Sequence, residues 1–171
     1  YSGGGAGTTT AALYSGGYDG GYAGETEEFD GTNWSEQNDL STGRINVGGC
    51  GTQTAALIYA GLEPSLSNKT ELYDGSSWTS GGNLSTARGE VAGGVGTSTA
   101  AICVGGQTPG PTMLTNTEEY GGSSWTSGGA LITATAMMGG AGTATDGLIF
   151  GGATPSRVAT TVGYDGTTFS T

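Results

Sequence analysis

Short apolar runs recur along this chain between glycine-rich and polar stretches. The runs "TAALYSGG", "TAALIYAG", "TAAICVGG" and "DGLIFGG" are continuous, as expected of short strands covered on both faces and closed by a turn. Small segments such as "INVGGCG", "VAGGVG" and "MMGGAG" precede them and suit strands whose neighbours approach closely. Anchored on Gly7-Thr8, Gly51-Thr52, Gly96-Thr97 and Gly142-Thr143, the pattern repeats every 45 residues or about that. Within each unit a small residue plus glycine follows the run: Gly16-Gly17, Ala60-Gly61, Gly105-Gly106 and Gly151-Gly152. After a variable polar loop come two aromatic positions. The first holds Phe29, Tyr73, Tyr120 and Tyr164, the second Trp34, Trp78, Trp125 and Phe169. Between them, Asp30-Gly31, Asp74-Gly75, Gly121-Gly122 and Asp165-Gly166 supply residues that accept positive φ in a tight hairpin. No segment sustains a helical apolar period.

Four short strands in a unit of about 45 residues mark a β-propeller blade. The expected fold class is therefore all-β, a single propeller over 1–171 with four-stranded blades at roughly 1–38, 39–82, 83–129 and 130–171. These four units make either a compact ring, whose crowded centre would account for the inner glycines, or part of something larger.

The order of apolar run, Gly-Gly, variable loop, aromatic, Trp and an Arg-bearing linker resembles the kelch repeat, as in "AAICVGG", "TEEYGGSSW", "STGR" and "STAR". The aromatic and the Trp stand closer together than in the usual kelch unit, and the third linker, "ITAT", has Thr135 where Arg44 and Arg88 stand. The near-identical units, among them "GTQTAAL" and "DGSSWTSGGNLSTAR", are similar to the kelch-like repeat proteins of marine tailed phages. That similarity implies a virion component.

Composition narrows the chemistry. The 171 residues include 15 Asp and Glu against 4 Lys and Arg, with no His and a formal net charge of -11. Nucleic acid and anionic membrane surfaces both require clustered Lys and Arg, so neither is an expected partner. No apolar run is long enough to insert in a bilayer as a helix. Cys50 and Cys103 lack metal-binding spacing and sit in small apolar contexts, which reads as buried free thiols. The absence of His removes the copper ligands of the galactose-oxidase type, which shares the kelch propeller, and the Ser-His and Cys-His nucleophile pairs. A carboxylate-pair glycosidase stays formally open, but nothing selects the pair. No catalytic residue, cofactor or metal site is expected. The cluster Glu25, Glu28 and Asp30 lacks the spacing of a calcium loop, and "YDGSSW" is one residue too short for the Asp box of sialidases.

Residues that recur once per blade read as structural. Trp34, Trp78, Trp125 and Phe169 suit packing between blades, Arg44 and Arg88 a structural hydrogen-bonding role, and Glu27, Glu71 and Glu118 solubility at sheet edges. Binding is expected instead on the most divergent segments, Tyr18 to Glu25, Leu62 to Lys69, Gln107 to Asn116 and Ala153 to Thr160, which should share one rim. Tyr18, Tyr22, Leu66, Met113 and Leu114 are the apolar candidates there, and Arg157 the one for an anion. The expectation is a non-enzymatic virion structural or host-adhesion protein, located in a virion or outside cells. It would bind other virion proteins or host-surface glycans as part of a multi-copy assembly. Two alternatives stand beside it. A secreted or cell-surface carbohydrate-binding module would give meaning to the sequons at Asn33, Asn68 and Asn83 if the source is eukaryotic. An intracellular kelch adaptor would normally be joined to other domains.

Overall fold

Sheet formation follows the pattern of apolar runs closely. A computed structural model describes residues 2–110 and 112–171, and no helix occurs among them. Pro111, in the third variable loop, lies outside the described residues, as does Tyr1. Four antiparallel sheets are arranged as the blades of a four-bladed β-propeller. Blade 1 is β1 (Gly4–Thr8), β2 (Ala11–Tyr18), β3 (Tyr22–Phe29) and β4 (Trp34–Glu36), hydrogen-bonded in that order. Blade 2 repeats it with β5 (Gly48–Thr52), β6 (Ala55–Tyr59), β7 (Thr70–Tyr73) and β8 (Trp78–Ser80). Blade 3 has β9 (Ala101–Val104), β12 (Thr117–Tyr120) and β13 (Trp125–Ser127), with the small hairpin β10 (Gln107–Thr108) and β11 (Thr112–Met113) in its variable loop. Blade 4 is β14 (Gly139–Thr143), β15 (Asp146–Phe150), β16 (Thr161–Tyr164) and β17 (Phe169–Ser170).

Blade 3 departs from the expected inner strand. Its "VAGGVG" segment makes only isolated bridges, Ala92 to Val104 and Gly96 to Ala101. The stretch from Arg88 to Gly96 is one residue longer than that from Arg44 to Gly51. The extra residue bulges at Gly94, whose φ is 85° and whose N–H donates to Gly49 O of blade 2 at 2.6 Å. Inner strands of neighbouring blades thus lie close enough that a Cβ on Gly49 would press on the backbone of Gly5.

Because side chains alternate along a strand, each blade has two different flanks. Leu13, Leu57 and Ile102 point at the following blade, where they are buried with Tyr73, Tyr120 and Tyr164 respectively. The second aromatic closes the same seams. Trp78 Nε1 donates to Thr26 Oγ1 of blade 1 at 2.9 Å, and Trp125 Nε1 to Thr70 Oγ1 of blade 2 at 2.9 Å. At the third seam Phe169 has no N–H to give, and the buried Thr117 Oγ1 has no hydrogen-bond partner. Trp34 does not join this series. It lies on the outward flank of blade 1, 50 % exposed, with its ring 5.2 Å from that of Phe29 in its own blade.

Around the axis, Ser2, Asn46, Glu90 and Met137 all adopt positive φ, between 55° and 69°. Asn46 N–H donates to Ser2 O at 2.7 Å, Glu90 N–H to Asn46 O at 3.0 Å and Met137 N–H to Glu90 O at 2.8 Å. Each strained residue, at a cost of about 1–3 kcal/mol, thereby takes part in a backbone bond that ties one blade to the next.

Two sets of measurements check these seams. Thr70→Val should lower stability by about 1 kcal/mol in urea denaturation, because it strands the partly buried Trp125 N–H. Thr117→Val removes a hydroxyl that bonds nothing and should leave stability unchanged or raised. Burial pushes the thiols of Cys50 and Cys103 up to about 12, so both stay protonated in the fold at pH 8 and should resist a thiol reagent until the protein unfolds. Since folding raises these pKa values, their contribution is complete below the ordinary thiol value. Stability should fall as pH climbs from there toward 12.

Candidate functional site

The rim on which the variable loops sit is built from a turn, a linker and a buried ion pair. Each apolar strand ends in two residues of positive φ, such as Ala60 (61°) and Gly61 (100°), or Gly105 (58°) and Gly106 (88°). Glycine is favoured there because an L side chain meets its own backbone. This double turn aims its carbonyl into the seam. Arg44 Nη1 donates to Ala60 O and Lys69 O, both at 3.1 Å, while its Nη2 donates to Glu71 Oε1 at 2.7 Å. The other carboxylate oxygen of Glu71 accepts from Ser41 N–H at 2.8 Å. Blade 3 repeats the arrangement. Arg88 Nη1 reaches Gly105 O at 3.2 Å and Asn116 O at 3.0 Å, Nη2 bonds Glu118, and Glu118 Oε2 accepts from Ser85 N–H at 2.7 Å.

Glu71 and Glu118 correct the edge-solubility expectation. Both are buried beside arginines that are fully buried. Alternation places this glutamate on the flank that meets the incoming linker, so the carboxylate is enclosed wherever a linker arginine lies over it. Glu27, with the same "TE" motif, is exposed. Burial pulls the Arg44 guanidinium below its ordinary value, against the pull of the Glu71 carboxylate. The clamp also latches the preceding blade through the main chain, since Gly17 N–H donates to Arg44 O at 2.8 Å and Gly61 N–H to Arg88 O at 2.9 Å.

At the third seam every polar member of the clamp is replaced. The equivalents of the linker serine, the arginine and the glutamate are Ile132, Thr135 and Val162. The main-chain geometry persists, with Gly106 N–H donating to Thr135 O at 3.0 Å and Gly151 N–H to Thr160 O at 2.9 Å. A cavity of about 320 Å³ occupies the place, lined mainly by Leu131, Ile132, Met138, Ile149, Val158, Val162 and threonines including Thr135 and Thr160. In the sequence the change is marked at Thr135, which stands where the other linkers have Arg44 and Arg88. Its coupling to Val162 shows only once the two residues face each other.

The rim candidates divide in two. Tyr18 and Tyr22 face each other across the tip of the β2–β3 hairpin, exposed to 40 % and 43 %. Asp19 and Glu25 share the adjoining cavity of about 370 Å³ with Tyr14 and Tyr18. Arg157 is exposed as well, at the end of a bridge to Ala153. Leu66, Met113 and Leu114 are only half-exposed. Leu66 bridges Leu62 and lies over Gly89. Leu114 is tied at both ends, its N–H donating to Gly106 O and its carbonyl accepting from Thr135 N–H. On the opposite rim the carboxylates of Asp30, Asp74 and Asp165 accept main-chain N–H bonds from the two residues that follow the hairpin glycine. Those bonds hold Asp30 and Asp74 below the usual carboxylate range, and for Asp165 the Thr167 hydroxyl does so first, joined by the main-chain bonds. Among the described residues no group of three or more His, Cys, Asp or Glu is placed to hold a metal ion.

No family model matches the chain, and no curated protein matches it.

The clamp is open to a direct test. Arg88→Thr alone leaves Glu118 buried without its partner and should cost about 3–5 kcal/mol. Adding Glu118→Val and Ser85→Ile, which copies the third seam into the second, should recover most of that loss in urea denaturation.

Proposed function

We propose that this chain is a non-enzymatic, kelch-like propeller that serves as a structural or host-adhesion component of a virus particle and binds its partners through the rim loops. What supports this reading is the fate of the repeated reactive groups. The two buried arginines, their glutamates and the seam indoles of Trp78 and Trp125 all spend their hydrogen bonds on architecture. Sequence variation gathers instead in the loops between the second and third strands, where Tyr18, Tyr22 and Arg157 reach solvent. Variation carried on one rim of a repeated scaffold suits recognition. A net charge of -11 suits a soluble outer component that repels nucleic acid.

A second reading, a carbohydrate-binding module, is favoured by one feature: the exposed Tyr18 and Tyr22 pair beside Asp19 and Glu25. Aromatic faces flanked by carboxylates suit the apolar and hydroxyl sides of a sugar. Two measurements decide between them. Mass spectrometry of purified particles should find the chain in many copies under the first reading and miss it under the second. Binding of the isolated protein to host cells or to a glycan panel should weaken about tenfold or more in the Tyr18→Ser, Tyr22→Ser double variant, with its thermal midpoint unchanged. Retention of full binding by that variant would refute a role for this rim under either reading.

A further inference from the structure

The two outer flanks of the blade stack carry the same chemistry as the three seams inside it. Leu148 stands where Leu13, Leu57 and Ile102 are buried against the next blade, yet it is 46 % exposed. Phe150 occupies the position of Tyr59, whose hydroxyl is buried in blade 3 at 3.1 Å from Ala92 O, and it is 43 % exposed. At the other end Trp34 lies open where Trp78 and Trp125 are packed, and Glu27 is exposed where Glu71 and Glu118 are clamped. Among the described residues no apolar cluster and no main-chain hydrogen bond joins blade 4 to blade 1. The axial ladder likewise stops at Ser2 on one side and Met137 on the other.

We infer that the exposed flank of blade 4 is an interface for the exposed flank of blade 1 in a second copy of this chain, a head-to-tail contact that repeats the internal seam. The occupant follows from complementarity. A flank offering Leu or Ile beside a threonine receives, at all three internal seams, a flank offering paired aromatics, and blade 1 offers that pair in Phe29 and Trp34. Such a contact is heterologous, so it yields rings or filaments according to whether the rotation closes. It goes beyond rim recognition and uses different residues. Each copy carries a net charge of -11, so salt should promote association by screening the repulsion.

The test is light-scattering mass analysis of the 171-residue chain at about 0.5 M salt, where screening is short-ranged, over a range of concentration. A mass rising to multiples of one chain is expected. The Leu148→Glu, Phe150→Glu variant and the Trp34→Ser variant alter opposite flanks at exposed positions, so each alone should stay at the mass of one chain with an unchanged melting point. Mixed in equal amounts, the two should form a one-to-one pair that grows no further, because each supplies the flank that the other has lost. A single-chain mass for the parent protein at every concentration, or association that survives both variants, would overturn the inference. The rim variant Tyr18→Ser, Tyr22→Ser should associate as the parent does, which separates this contact from rim binding.

Discussion

A buried guanidinium needs acceptors, and in this protein the bonds made by the two terminal nitrogens of Arg44 and of Arg88 fix how one blade is joined to the next. Nε of each has no hydrogen-bond partner among the described residues. The arginine fork takes two main-chain carbonyls with one nitrogen and a carboxylate with the other. One of the carbonyls faces it because the strand ends in a double turn of positive φ, which explains why glycine recurs there in nearly every unit, and the other precedes the third strand, at Lys69 or Asn116. The carboxylate is held in turn by the linker that carries the arginine. Turn, linker and third strand are therefore specified together. Loss of any one member leaves a buried polar group exposed to the low local dielectric, where it is most costly.

The third seam shows the other physical solution. A buried ion pair gains little over apolar residues of similar volume once desolvation is counted, so replacing the whole set is tolerated where replacing one member is not. Ile132, Thr135 and Val162 change together, and the main-chain bonds survive without the side chains. What is lost is filling. Thr and Val are smaller than Arg and Glu, and the seam retains a cavity of about 320 Å³. Phe169 in place of Trp extends the same drift toward apolar contacts, and it leaves the Thr117 hydroxyl without the donor its counterparts have.

Much of this architecture was legible in the chain because the repeat samples the same local chemistry several times. The period, the paired aromatics and the glycines of the tight turns marked blades, strands and the variable rim. Glu71 and Glu118 were misplaced for a definite reason. A glutamate in an alternating strand looks the same whether its flank meets solvent or a linker, and the arginine that decides the matter lies 27 residues away for Glu71 and 30 for Glu118. Trp34 was misplaced by the repeat itself, since equivalence along the sequence implies equal burial only for blades that have neighbours on both sides. Leu66 and Leu114 looked like exposed apolar residues in variable loops, but their loops fold down and use them as supports.

Repetition of a two-sided unit carries its own consequence. Every blade here has one flank that offers Leu or Ile and one that carries paired aromatics. An uncovered apolar flank invites association. Leu148, Phe150 and Trp34 remain apolar where solvent meets them, and solubility falls to the excess of carboxylates spread over the surface. A scaffold of this kind separates its tasks by direction. Seams run around the axis through constant side chains, and they ask of the loops along the axis only main-chain groups such as Lys69 O and Asn116 O, which leaves the loop side chains free to vary.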